Sequence, residues 1–183
     1  MPLMTPGHRL HMPTPGRPPS TLQRADIVRR IPHQHSMCLL DRVTAWDARQ
    51  IQCEADSHRS PTNPMRAHGR LGASCGIEYA AQAMAVHGAL TAESLAVDNA
   101  VGSVPVRGGY LVSVRNVSLF VEQLDTVTGP LSISAERLSG DTATVLYSFA
   151  VLDGMRTLLS GRAIVVLDPP ALLTGSVAAR IAA

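Results

Sequence analysis

The chain has 183 residues, enough for one domain with a full core. All 16 basic residues are Arg, the net charge is only +2 and aromatic residues make up 3% of the chain, which argues against a nucleic-acid binder. Three cysteines (Cys38, Cys53, Cys75) with no CxxC pair give neither a disulfide framework nor a zinc motif, so a reduced cytoplasm is the expected setting.

Residues 1–20 are rich in Pro and Gly and lack the apolar core of a signal peptide. They are expected to be a disordered extension, or to precede the true start. Residues 21–30 predict a short helix, capped by Ser20 or Thr21 and stopped near Pro32. After a turn over IPHQHSM, residues 38–45 are apolar enough for a strand. Residues 50–56 alternate and predict a second one, which gives a hairpin across 46–49. Residues 58–72 are a loop dense in turn formers.

The stretch GIEYAAQAMAVHGAL, 76–90, predicts a helix with Ser74 as a candidate cap. It is small and apolar almost all round, the mark of a buried helix. A polar loop to about Gly109 follows. Four strands are then predicted at 110–121, 131–137, 144–152 and 158–167, separated by turn signals. No apolar run is long enough for a membrane span. The 169–183 tail is Ala-rich and peripheral. The order of two strands, one apolar helix and four strands gives an α+β layout of about six strands around the helix, over residues 21–168.

Within that helix Glu78 and Gln82 stand one turn apart on one face. Burying an unpartnered polar group costs roughly 2–7 kcal/mol, and a charge more. The pair is therefore either a hydrogen-bonded packing device or a general acid kept protonated by burial, with the amide in support. Seven histidines are many for this length. His8 and His11 fall in the extension, and His87 lies further along the helix, off the face of Glu78. His33 and His35 precede the first strand, while His58 and His68 lie in the loop before the helix and are most simply solvent-facing. A metal site would need three of His33, His35, His58, His68 and Cys75 to converge, and the H-x-H spacing alone is weak support. At the helix start, the free N–H groups near Gly72, Ala73 and Gly76 are placed to polarise a carbonyl oxygen.

The segment IPHQHSMCLLDRV resembles the LPHRxPFLLVDRV-type opening of the β-hydroxyacyl-acyl carrier protein dehydratases, and GIEYAAQAMA resembles their ExMAQ helix motif. The resemblance covers residues 24–168 and is closest to the dehydratase-like branch of aryl polyene pigment clusters. It implies the hot-dog fold, a curved antiparallel sheet around one long helix. It also implies elimination of water from a 3-hydroxyacyl chain carried on the phosphopantetheine arm of acyl carrier protein, with no metal or dissociable cofactor. The housekeeping enzymes carry their catalytic His in a GHFPG segment. The chain reads NPMRAHGRLG there, and the corresponding spacing before Glu78 falls on Pro64. The aryl polyene branch also lacks GHFPG and keeps the His of the PH motif, so the resemblance implies His33 first as the base, His68 second and His58 third, with Glu78 as the acid and Gln82 orienting it. Arg107 and Arg115, flanking GGYLVSV, are the candidates for docking the acidic carrier protein. Members of this superfamily usually dimerise, with themselves or with another hot-dog subunit. Two rival expectations stand beside the dehydratase. One is a hot-dog thioester hydrolase, whose helix carboxylate needs no paired His. The other is a non-catalytic partner subunit.

Overall fold

The computed structural model describes residues 21–98, 109–141 and 143–167. The expectations for the 1–20 extension, for Arg107 and for the 169–183 tail lie outside the described residues. In chain order the elements are β1 (Leu22–Gln23), α1 (Arg24–Val28), β2 (Arg42–Trp46), β3 (Gln50–Ala55), α2 (Gly76–Asp98), β4 (Gly109–Leu119), β5 (Leu131–Gly140), β6 (Thr144–Asp153) and β7 (Arg156–Leu167). Short 3-10 turns occupy His35–Met37, Ser57–Arg59 and Ala73–Cys75.

The strands form one 7-stranded sheet in the order β1-β2-β3-β5-β6-β7-β4, and every pairing is antiparallel. β2 and β3 make the expected hairpin. Its turn is fixed by Asp47, whose Oδ1 accepts the N–H of Arg49 at 2.7 Å and of Gln50 at 3.0 Å, the Asx geometry that favours Asp in turns. Leu131, Ile133 and Ala135 of β5 and Val145, Tyr147, Phe149 and Val151 of β6 alternate inward and are buried. Helix α2 packs on this face, against β3, β5 and β6. One long helix on an antiparallel sheet is the α+β architecture that the sequence implied.

The local expectations needed several corrections. The helix expected over 21–30 runs only from Arg24 to Val28, because Leu22 and Gln23 pair with Val43 and Arg42 as strand β1. Its N-cap is Gln23, not Ser20 or Thr21, and the Gln23 N–H donates to Asp26 Oδ2 at 3.1 Å. Residues 38–41 are not strand. Helix α2 continues past Leu90 to Asp98, and Arg30 Nη2 meets Glu93 Oε2 at 2.9 Å on the extension. Ser74 does not cap this helix; it lies in the 3-10 turn before it, whose N-cap is Gly72.

The helix is also not buried on all sides. Tyr79, Ala80, Ala83, Val86 and His87 are fully buried. Ile77, Glu78, Ala81, Ala85 and Gly88 form a half-buried stripe at helical spacing. Glu78 therefore lies on the open side of the helix.

Candidate active site

Two structural units meet at the site. The first is the opening turn of α2, which carries Glu78; a carboxylate there lies near the positive end of the helix dipole. The second is the irregular segment 32–41, which crosses that stripe between α1 and β2. The Nε2 of His33 stands 3.1 Å from Glu78 Oε1, and the two side chains retain 29% and 28% of their exposure. The two groups are thus within ion-pair distance of one another and still open to a ligand. The Nδ1 of His33 is buried with no partner.

Gln82 joins the two units. Its Nε2 donates to Glu78 Oε1 at 3.0 Å and to the Met37 carbonyl at 2.8 Å, and its Oε1 accepts the Leu39 N–H at 2.8 Å. The side chain is fully buried and its polar atoms are partnered, which explains an amide in an apolar helix. Leu39 is held from its other side too, because its carbonyl accepts the Ser57 hydroxyl at 2.7 Å. Ser57 Oγ also meets Tyr79 Oη at 2.9 Å, and Asn63 Nδ2 donates to the same phenol at 3.0 Å. Burial raises the Tyr79 pKa, so the phenol stays neutral and able to donate.

The remaining candidates separate. His35 and His68 are exposed and both adopt left-handed φ values of 51°. His58 is not solvent-facing: it is fully buried, with its Nε2 3.2 Å from the Val127 carbonyl. Desolvation lowers its pKa, which keeps the imidazole neutral. His58 fills the space beneath the loop before β5, and neither it nor His68 contacts Glu78. His87 bridges the Asp47 carbonyl at 2.8 Å and Tyr147 Oη at 2.9 Å in the core. Among the described residues no three His, Cys, Asp or Glu side chains converge on a possible metal ion. Arg115 is exposed on β4 and donates to Ser113 Oγ at 3.3 Å.

The expected row of free amides is largely taken. The Ala73 N–H donates to the Glu122 carbonyl at 2.9 Å, and the Gly76 N–H to the carbonyls of Ala73 and Ser74. Gly76 is a glycine for packing: a Cβ there would stand 2.2 Å from Leu159 Cδ2. Gly72 differs. It forms an isolated antiparallel bridge with Gln123, flanked by the Ala73–Glu122 and Leu124–Leu71 bonds, so its own N–H points away from that neighbour. The sequence reading missed Ser57, Tyr79, Asn63 and Arg24. Ser57 and Asn63 read as ordinary turn residues, Tyr79 as one residue of the helix motif with no role of its own, and no local pattern marks Arg24.

A family model described as ApeP-like, ApeP dehydratase, matches residues 25–174. Among solved structures, the chain is similar to the dehydratase heterocomplex ApeI:P from Xenorhabdus doucetiae, with 21% identity, 81% of this chain and 94% of that chain covered, and a TM-score of 0.66. It is also similar to a mutant thioesterase from Staphylococcus aureus subsp. aureus Mu50, with 14% identity, 69% and 92% coverage and a TM-score of 0.46. A thioesterase from Haemophilus influenzae gives 10% identity, 68% and 76% coverage and a TM-score of 0.47. No curated protein matches the chain in sequence. The architecture is the hot-dog fold.

Proposed function

The chain belongs to the ApeP-like dehydratase family, and on that premise we propose that it removes water from a 3-hydroxyacyl thioester on acyl carrier protein, in aryl polyene or fatty acid type synthesis. The observation that carries this reading is the 3.1 Å contact between His33 Nε2 and Glu78 Oε1. Elimination needs a base for the C2 proton and an acid for the departing 3-hydroxyl, within reach of one substrate. A lone helix carboxylate would suit a hydrolase; the paired imidazole favours the dehydratase.

In the proposed step His33 takes the C2 proton. The C2–H electron pair becomes the C2=C3 double bond, the C3–O bond breaks, and Glu78 supplies the proton that releases the oxygen as water. The trans-2-enoyl thioester remains on the carrier. Base and acid together start with one transferable proton and end with one. Its return from His33 to Glu78 across their contact resets the site without an outside proton source. Gln82 fixes Oε1 of the acid. Gly72 is the remaining candidate for polarising the thioester carbonyl, since the neighbouring amides of Ala73 and Gly76 are already bonded. The phosphopantetheine arm belongs to the substrate, and the step calls on no other cofactor.

A second hot-dog subunit is the partner that this reading favours, in keeping with the name of the solved heterocomplex. The exposed apolar residues of edge strand β4, among them Tyr110, Val112 and Leu119, support it. Carrier-protein docking by Arg115 rests on charge alone.

The test is turnover of a 3-hydroxyacyl carrier protein followed by intact mass, with the protein alone and co-expressed with a second dehydratase subunit. Loss of one water by the wild type is expected. Glu78→Gln and His33→Ala should each slow it by about 10²–10⁴-fold. Loss of the whole acyl group would replace elimination by hydrolysis. An unchanged substrate, alone and in the complex, would leave a partner subunit without catalysis of its own.

A further inference from the structure

Apart from the Asp41 N–H, which donates to the Glu54 carbonyl of β3 at 2.9 Å, the base-bearing segment 32–41 has no strand neighbour to satisfy its backbone. Buried or half-buried carbonyls need partners, so what holds this segment also decides where His33 stands. Gln82 and Ser57 hold Met37 and Leu39 from the side of α2. The opposite side is held by Arg24. Its Nη1 donates to the Leu40 carbonyl at 3.1 Å and to Asp41 Oδ1 at 3.1 Å. Its Nη2 donates to the His35 carbonyl at 3.1 Å and also to the Cys38 carbonyl. One planar guanidinium thus spans the segment from two residues after the base to the start of β2.

The fold explains why an arginine at this position can do so. Gln23 pairs with Arg42 in the β1–β2 register, which sets the next residue, Arg24, beside Asp41. The two-residue strand β1 therefore positions the clasp. The grip has a particular task at His35, whose φ of 51° lies in the left-handed region that non-glycine residues adopt only when their surroundings enforce it. The His35 carbonyl accepts from Arg24 and, at 3.3 Å, from the Cys38 N–H. Releasing it would let the turn relax, two residues from the base.

We propose that Arg24 is a positioning residue: through the His35, Cys38 and Leu40 carbonyls it sets the approach of His33 to Glu78. This rests on the reading of His33 and Glu78 as the reacting pair. Lysine cannot replace it, because a single ammonium lacks the fork that reaches several acceptors in one plane.

The experiment compares wild type, Arg24→Lys and Glu78→Gln. The first readout is independent of turnover: the imidazole 15N resonances of His33, assigned by their loss in His33→Ala. In Arg24→Lys they are expected to move from the wild-type position toward that of Glu78→Gln, in a protein whose circular dichroism is unchanged. The second readout is kinetic. A misplaced group can cost up to about 10²-fold in rate, so kcat should fall by roughly that order while KM stays near the wild-type value. In the Glu78→Gln background, Arg24→Lys should add little further loss. His33 resonances at their wild-type positions in folded Arg24→Lys would overturn the proposal, as would a KM effect with kcat intact. If Arg24→Lys does not fold, Asp41→Asn loosens the same clasp at one point. It should move the His33 resonances by a smaller amount in the same direction, and unmoved resonances would again overturn the proposal. A wild type that eliminates no water sinks the proposed reaction, while the resonances still decide the role of Arg24.

Discussion

Gln82 donates to the carboxylate of Glu78 at 3.0 Å, one helical turn away, while the same amide grips the backbone of the segment that carries His33. The proposed acid and base are thus registered through one side chain. Replacing it by an apolar group of similar size would strand the Leu39 N–H and the Met37 carbonyl. An orphaned buried polar group costs about 1–3 kcal/mol. Gln82→Leu is therefore expected to lose stability of that order and to lose activity beyond what stability explains. Gln82→Glu can still accept from Leu39 N–H but brings a second carboxyl to Glu78. Denaturant unfolding and initial rates on the same preparations check both. Gln82→Leu with unchanged rates would remove the amide from the proposed machinery.

His87 makes a second buried polar contact that the proposed chemistry does not use. It is fully buried, with Asp47 carbonyl and Tyr147 hydroxyl on its two nitrogens. Desolvation pulls its pKa below the ordinary value of 6.5, partly offset by the Asp47 carbonyl and charge. Desolvation lowers His58 in the same way. The unfolded chain therefore takes up these protons before the native one does. Stability from both groups is present above pH 6.5 and is lost as the pH falls below it toward the folded values. Urea unfolding at about pH 8 and about pH 5 should give a lower midpoint in acid, and His87→Phe should flatten the difference. A wild-type midpoint that holds or rises on acidification contradicts the assignment of neutral, buried imidazoles.

The order of strands around one helix was largely legible because it rests on local signals, while the hot-dog expectation came from the family resemblance. Alternation in 131–137 and 144–152 marked strands that do bury every second residue. The PHQHSM and GIEYAAQ motifs pointed to His33 and Glu78, which the fold brings into contact. Features that depend on distant partners were not legible. Residues 38–41 are apolar enough for a strand, but their backbone bonds go to Arg24, Gln82 and Ser57, with Asp41 N–H also donating to Glu54. His58 looked like a surface residue because the carbonyl that covers it belongs to Val127, far along the chain. The amides of Ala73 and Gly76 looked free because neither the Glu122 carbonyl nor the 3-10 turn can be read from the helix sequence. Turn chemistry and periodicity are local; the satisfaction of an irregular segment is not.

Gly76 separates packing from ligand approach at the helix start. An added Cβ would stand 2.2 Å from Leu159 Cδ2, so Gly76→Ala must displace Leu159 or the first turn of α2. Overpacking of this kind costs about 1–3 kcal/mol. Thermal or denaturant unfolding should show that loss. Leu159→Ala alone should also destabilise, by opening a cavity, but the double substitution should cost less than the sum of the two, because the truncated side chain makes room for the methyl group. Additive losses would mean that Gly76 is required for some other reason.

Strand β4 has a neighbour, β7, on one side only among the described residues, and it ends the sheet. Along it Tyr110 is 60% exposed, Val112 56% and Leu119 50%, and Phe120 just beyond is 58% exposed. An apolar edge of this kind is a template for another chain, and proteins that stay single usually blunt such an edge with charge. The half-open His33–Glu78 pair is also left uncovered by the single chain. Association through this edge, with a second copy or a second hot-dog subunit, is the expected state. Val112→Lys with Leu119→Lys should weaken it while leaving the far-ultraviolet spectrum unchanged. Sedimentation velocity at tens of micromolar reads the result for the protein alone and co-expressed with the partner subunit. A wild type that sediments as a single chain in both preparations would refute the edge as an interface, and a double variant that associates as tightly as wild type would move the interface elsewhere.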